Sequence, residues 1–330
     1  MFFKNLFHGK FPVNLSKFCQ MRFNSLLFRF LPFSVSRHYI GVLGKLYYLL
    51  NWQEKELIEQ TISYVFRRKM DARTLKGKIK ETFQGIFDHY HEKLYVAYSR
   101  FQKCFRFLKK RVRFVGEESL KEALQTGKGV ILVTGHFGAV EFLPGALAVN
   151  GYPASMICRF QTDRLRTSLI ERAERINLDL IDADSDHIFL AALKALKQGR
   201  ILITECDEFE EWRPDDRQNH YFLNCKLPSD RSLEILRKRS GAPVISALLK
   251  REGQRNYSLN LTPMGNGASP AAMPVSAQCL RTLEAEVEAC PQQWYQWKKF
   301  GKIIKSRLEV EHDRQESGYL APEIGIPVAD

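Results

Sequence analysis

The chain has no Cys-x-x-Cys pair, no Gly-x-Ser-x-Gly elbow and no glycine-rich phosphate loop in its 330 residues. Those absences remove the usual signatures of a redox motif, a serine hydrolase and a nucleotide-binding enzyme. Seven cysteines, odd in number and widely scattered, read as reduced thiols in a cytosol-facing protein. Cys206, beside Asp207, reads more readily as a small apolar filler at a strand's end than as a nucleophile.

Acidic residues are missing from two segments. Residues 1–50 carry seven Lys/Arg and no acid, and residues 100–113 carry another seven and none, in a chain whose net charge is +13. The first segment interleaves its charges with Phe2, Phe3, Phe18, Phe23, Phe28 and Phe30, a composition suited to the headgroup layer of an anionic membrane. Arg29, Arg37 and Lys45 interrupt the roughly 20 apolar residues of a spanning helix, which favours a segment lying on the membrane over an N-terminal anchor whose charges snorkel, and the segment lacks the unbroken core of a secretory signal. In the second segment Phe101, Cys104, Phe105, Leu108 and Val112 recur at helical steps and form one apolar stripe. It fits membrane contact, docking of an acidic partner, or a core-packed helix with a solvated basic face. Basic residues among aromatics also suit nucleic acid, but no binding motif accompanies them.

The chemistry concentrates at Gly129-Val-Ile-Leu-Val-Thr-Gly-His136-Phe-Gly-Ala-Val-Glu141. Val130 to Val133 have the pattern of a strand buried on both faces of a parallel sheet, and function in such sheets gathers at the carboxyl ends of strands. Residues five apart stand about 140° from each other on a straight helix, so a turn is needed to bring His136 and Glu141 together. Gly135 and Gly138 permit one. A carboxylate on one ring nitrogen leaves the other as a base. The bland alternative makes His136 a helix cap and Glu141 a solvated first-turn acid. Helical zinc pairs use three- or four-residue spacing and no second His/Cys pair stands nearby, so neither metal nor cofactor is expected.

Gly135-His-Phe-Gly-Ala-Val-Glu141 resembles the His-x4-Glu block of the bacterial lipid A late acyltransferases, within the wider lysophospholipid acyltransferase superfamily. The similarity extends upstream to Val115-Gly-Glu-Glu-Ser-Leu-Lys-Glu-Ala-Leu-Gln-Thr-Gly-Lys-Gly129 and downstream to Ala192-Leu-Lys-Ala-Leu-Lys-Gln-Gly199. It closes with Pro291-Gln-Gln-Trp294 near the end, covering about residues 112–300. The resemblance implies acyl transfer from acyl carrier protein or acyl-CoA to a hydroxyl or amine of a membrane lipid acceptor, at the cytoplasmic face of a bacterial inner membrane. It implies His136 as general base, Glu141 as its orienting partner, and Arg172 or Arg175 together with Asp207 in substrate binding. Either arginine can equally salt-bridge Glu171 or Glu174, and Asp207 can equally start a loop. The family's Asp-Gln is here Asp207-Glu208, and Glu208 to Ser232 departs from the family's glycine-containing segment beside the substrate cleft. The motif therefore carries the catalysis over without carrying the acceptor. The alternative function is a thioesterase-like hydrolase or a non-catalytic lipid-binding relative.

The expected fold is α/β, a mixed, largely parallel sheet covered by helices, with a helical basic N-terminal extension. The domain reading assigns 1–50 to membrane association, 51–113 to a helical extension, 114–308 to the acyltransferase domain and 309–330 to a polar tail. Strands are expected at Val130 to Val133, Ala154 to Cys158, Leu178 to Ile181, Arg200 to Thr204, Val244 to Leu249 and Tyr257 to Leu261. Met264 to Pro274 reads as a surface loop and Val275 to Lys305 as helical.

Overall fold

The computed structural model describes residues 14–253, 255–265 and 273–316. The start of the basic N-terminal segment, the centre of the expected loop after Met264 and the tail from residue 317 lie outside the described residues.

Among the described residues six helices come first: α1 (Leu15–Cys19), α2 (Arg22–Phe30), α3 (Phe33–Leu50), α4 (Trp52–Phe66), α5 (Ala72–Tyr98) and α6 (Phe101–Arg111). Strands and helices then alternate through β1 (Val112–Val115), α7 (Glu117–Gln125), β2 (Val130–Thr134), α8 (Leu143–Val149), β3 (Ala154–Cys158), α9 (Asp163–Ala173), β4 (Leu178–Asp182), α10 (Ile188–Lys197) and β5 (Ile201–Glu205). A hairpin of β6 (Pro214–Phe222) and β7 (Cys225–Asp230) follows, then α11 (Ser232–Ser240), β8 (Val244–Arg251), β9 (Tyr257–Pro263), α12 (Val275–Ala289) and α13 (Trp297–Glu316).

Seven strands form one sheet in the order β1-β9-β8-β2-β5-β3-β4, parallel throughout except where β8 meets β9. The expected α/β class holds. All five residues of β2 are buried, because helices cover both faces of the sheet at its centre. Val130 and Leu132 join the cluster beneath α4, α5 and α8, while Ile131 and Val133 join a second cluster beneath α10 and α11.

The first cluster runs without interruption into the N-terminal helices, where Leu15, Cys19, Phe28, Ile40 and Tyr47 are buried. A buried ion pair adds a directional link between α5 and the sheet. Arg251 on β8 donates from Nε and Nη2 to the two carboxylate oxygens of Glu92, both at 2.8 Å. The two-point geometry offsets the cost of withdrawing both charges from most of their water.

Besides the β6–β7 hairpin, for which no strands are expected from sequence, two elements differ from expectation. Val112-Arg-Phe-Val115, whose first residue reads from sequence as the end of the basic helical stripe, is an edge strand parallel to β9. The β-branched valines at both ends favour extended backbone. The expected helix from Val275 to Lys305 breaks at Cys290, where Pro291–Gln293 forms a single 3₁₀ turn before Trp294 and α13. Pro291 has no N–H with which to continue the ladder.

Candidate active site

β2 and β5 are parallel neighbours whose register sets Thr134 beside Glu205. Two residues beyond the end of each strand stand His136 and Asp207. The Asp207 carboxylate accepts the His136 backbone N–H at 2.9 Å, lies 2.8 Å from Nδ1 of the same imidazole, and accepts the Trp294 indole N–H at 2.7 Å. With Nδ1 donating to that carboxylate, the ring's other nitrogen, Nε2, is left to face outward. The 3₁₀ turn at Pro291 closes over this arrangement: Tyr295 N–H donates to the His136 carbonyl and its ring meets the imidazole edge-on at 4.9 Å.

The turn after β2 demands its glycines for different reasons. Gly138 has φ +58°, and a Cβ there would lie 1.9 Å from the Leu249 carbonyl oxygen. Gly135 has no such backbone angle, but a Cβ would press within 2.6 Å of Leu283.

Glu141 stands apart from the His136 imidazole. It lies in the 3₁₀ turn Val140–Phe142, with its carboxylate 3.1 Å from Lys93 and 3.5 Å from His89, both on α5. Among the described residues no hydrogen bond or ion pair joins Glu141 to His136. The physical reason is that Asp207 already occupies Nδ1, while Nε2 faces Glu208 at 3.1 Å and Glu205 at 3.4 Å. Glu141 still shares a cavity with His136, and His89 bridges them by stacking on Tyr295 at 3.4 Å.

That cavity, about 420 Å³, lies at the carboxyl ends of β2, β3 and β5. Ile86, Val96, Val140, Met156, Leu169 and Leu180 give it apolar walls, and Lys93, Arg159, Lys299 and Lys302 also line it. Its size falls within the roughly 300–1,000 Å³ of small-molecule sites.

Burial alone would lower the His136 imidazole pKa, but the carboxylates of Glu205 and Asp207 outweigh it and hold it well above the ordinary value. Burial raises Glu205 to about 7 against the opposing pull of His136. Glu208 is half-buried, which opposes ionisation, yet its hydrogen bonds to His136 and Lys299 bring it down to about 2. His89 is held well below its usual value by burial and by Lys93, so it is neutral. Burial likewise raises the Cys206 thiol well above its ordinary value, in keeping with a structural filler.

The two arginines separate. Arg172 on α9 donates to the Ser99 carbonyl, keeps Nη1 buried without a partner, and reaches the cavity that contains His136. Arg175 lies over the Phe101 ring at 3.7 Å and lines a basic groove with Arg22, Arg29, Arg100, Arg164 and Arg172, but not the cavity that contains His136. Among the described residues neither pairs with Glu171 or Glu174.

His136, Glu205 and Glu208 bring their ligand atoms within 4.8 Å of one another, so a divalent cation could be held there. Spacing arguments limited to one helix miss such a set, because its members come from two strand ends. Sequence reasoning also passed over Glu205, His89, Lys93 and Tyr295. The signal for Glu205 was present: three acids in four residues, Glu205-Cys-Asp207-Glu208, directly after an apolar strand.

A buried imidazole held by a carboxylate at the carboxyl end of a central parallel strand, opening on a cavity with apolar walls, is an arrangement able to do acid–base chemistry on a substrate with a greasy part. Residues 21–299 match the family model described as bacterial lipid A biosynthesis acyltransferase, and the chain belongs to that family. No curated protein matched the chain.

Proposed function

We propose that this acyltransferase moves a fatty acyl group from an acyl thioester, carried by acyl carrier protein or coenzyme A, to a hydroxyl or amine of a membrane-associated acceptor. The observation that carries the reading is the His136 imidazole, fixed at Nδ1 by Asp207 and facing an apolar cavity with Nε2. Nε2 takes the proton of the attacking acceptor as its oxygen or nitrogen bonds to the thioester carbonyl carbon. The carbon–sulfur bond then breaks, and the imidazolium returns the proton to the departing thiolate. Asp207 stabilises the imidazolium between those events. Arg172 and Lys93 supply positive charge along the cavity wall, and Glu141 holds Lys93 in place.

Attachment to an anionic membrane face, the cytoplasmic side of a bacterial inner membrane, is supported by the surface of α2 and α3. Met21, Phe23, Leu26, Phe30, Val42 and Leu49 are exposed there, beside Arg22 and Arg29. No helix among the described residues is long and apolar enough to cross a membrane. The groove of arginines next to this surface suits the acidic surface of a carrier protein.

Purified protein incubated with radiolabelled acyl carrier protein and membrane lipids tests the reading. Label should pass to lipid in the wild type and fall by about 10²–10⁴-fold in His136→Ala. Near-normal transfer by that variant removes the mechanism, and release of free acid without acceptor marks a hydrolase instead.

A further inference from the structure

Six arginines line one groove between α2 and α9, and a single acid shares it. Arg22, Arg29, Arg100, Arg164, Arg172 and Arg175 stand around an open space of about 1110 Å³, with Glu171 the one acid among the lining residues. Among the described residues no ion pair joins any of the six to a carboxylate. Like charges gathered in this way repel, so the arrangement is favourable only with something anionic among them.

Three of these side chains are held in place. Arg164 donates to Ser25 Oγ at 3.0 Å, Arg172 donates to the Ser99 carbonyl, and Arg175 lies over the Phe101 ring. A guanidinium has five N–H donors, and these contacts use only part of each set. Fixing the groups beforehand reduces the entropy lost when a ligand binds.

Two buried atoms indicate what that ligand offers. Arg172 and Tyr98 line the groove, and Nη1 of the first and the hydroxyl of the second are buried with no hydrogen-bond partner. A buried polar atom left unmatched is destabilising, so each marks a missing contact. A guanidinium only donates and a phenol readily donates, so the missing group is an acceptor. Among anionic acceptors, phosphate takes paired N–H groups from more than one guanidinium and suits this number of arginines better than a single carboxylate.

The groove adjoins the candidate active site. On α9, Leu165, Leu169 and Arg172 line the cavity that contains His136, whereas Arg164, Thr167, Ser168 and Glu171 line the groove. Residues three and four apart share a helix face, so α9 is the wall between the two spaces, and Arg172 lines both. A donor held on both sides of that wall carries its anion at a distance from its thioester. The pantetheine arm has this chemistry, with the acyl thioester at one end and a phosphate at the other, and it is common to acyl carrier protein and coenzyme A. A second groove of about 680 Å³ shares Arg100, Phe101 and Arg175 with the first, adds Lys103, Arg106 and Lys110, and has no acid among its lining residues. It extends the positive surface well past one phosphate, which suits the acidic body of a carrier protein behind the arm.

We propose that the groove seats the phosphate of the donor's pantetheine arm on Arg164, Arg172 and Arg175, and that the acyl end passes Arg172 into the His136 cavity. The proposal rests on the acyl-transfer reading and deepens it by giving the donor a binding site of its own.

Full-length protein is given extracted bacterial membrane lipids as acceptor and four labelled donors: dodecanoyl-pantetheine, dodecanoyl-phosphopantetheine, dodecanoyl-CoA and dodecanoyl acyl carrier protein. The rate of His136→Ala is subtracted. The expected result is a kcat/KM at least about tenfold higher with phosphopantetheine than with pantetheine, mostly in KM, because the phosphate is bound equally before and during the reaction. In Arg164→Gln with Arg175→Gln that ratio should fall to near one. A ratio between two donors on the same variant does not depend on how much of the variant is folded. On the wild type, free phosphopantetheine should compete with the phosphorylated donors while free pantetheine does not. The carrier is the expected source of the arm, with the highest kcat/KM of the four and no competition from the adenosine bisphosphate half of coenzyme A; competition from that half, with coenzyme A as the best donor, supports the same seat with coenzyme A in it. Equal His136-dependent transfer from pantetheine and phosphopantetheine overturns the phosphate seat and leaves acyl transfer standing. A phosphate preference that persists in the double variant overturns the seat as well. No His136-dependent transfer from any of the four overturns both.

Discussion

Asp207 Oδ1 lies 2.8 Å from His136 Nδ1, although 71 residues of chain separate them. The distance is set by two adjacent parallel strands that end in register, which is how an α/β sheet gathers remote residues at one edge. Asp207→Asn keeps most of the shape but loses the charge that holds the tautomer and stabilises the imidazolium. Turnover should fall about 10²–10⁴-fold with the melting temperature little changed, measured by steady-state transfer and calorimetry. Trp294→Phe removes only the third donor to the same carboxylate, and a hydrogen bond to a charged group contributes about 1.5–3 kcal/mol, so its loss of rate should be much smaller.

The pH profile follows from the same geometry. A base works when unprotonated, and the His136 pKa is held above its ordinary value by Glu205 and Asp207 against the effect of burial. The transfer rate should therefore rise with pH, with its limb above the ordinary histidine range rather than within it. Removing one of those carboxylates by Glu205→Gln should move the limb toward lower pH. A limb that stays in place in Glu205→Gln would show that Glu205 does not act on the base.

Much of this site was legible in the sequence because its strand is buried on both faces, so Val130 to Val133 form an unmistakable apolar run with the motif at its end. The partner of His136 was not legible. The family resemblance pointed to Glu141, whereas neighbourhood in a parallel sheet depends on strand order, which no local pattern encodes. The β6–β7 hairpin was hidden for a different reason. Its turn places Leu223 and Asn224 at φ +48° and +64°, a geometry usually signalled by Asn-Gly. Leu223 is held there by complete burial and by its N–H to Glu284, both tertiary effects.

The Glu92–Arg251 pair gives a stability prediction that is separate from catalysis. Arg251→Ala leaves Glu92, 2% exposed, without its partner, and breaking a buried pair in this way costs about 3–5 kcal/mol. Glu92 is already raised to about 7 by burial even with Arg251 opposing, so in the variant it should take up a proton on folding. Its folded pKa then lies above the unfolded value, and the stability deficit should grow as pH rises from 5 to 8. Chemical denaturation across that range measures it.

Phe23, Leu26 and Phe30 of α2 are 67%, 57% and 62% exposed, an apolar face left uncovered by the described residues. Phe28 of the same helix is buried at 1%, so the helix is anchored by one side and free on the other. Burying a large apolar side chain in a lipid interface gains up to about 1.5–3 kcal/mol, and adjacent Arg22 and Arg29 add roughly 1 kcal/mol each on an anionic surface. Phe23→Glu with Phe30→Glu should therefore lower partitioning onto phosphatidylglycerol vesicles by more than tenfold in a flotation assay. Because both positions are exposed, melting temperature and turnover on a water-soluble acceptor should stay near wild type. Unchanged flotation would mean that this face serves some contact other than lipid.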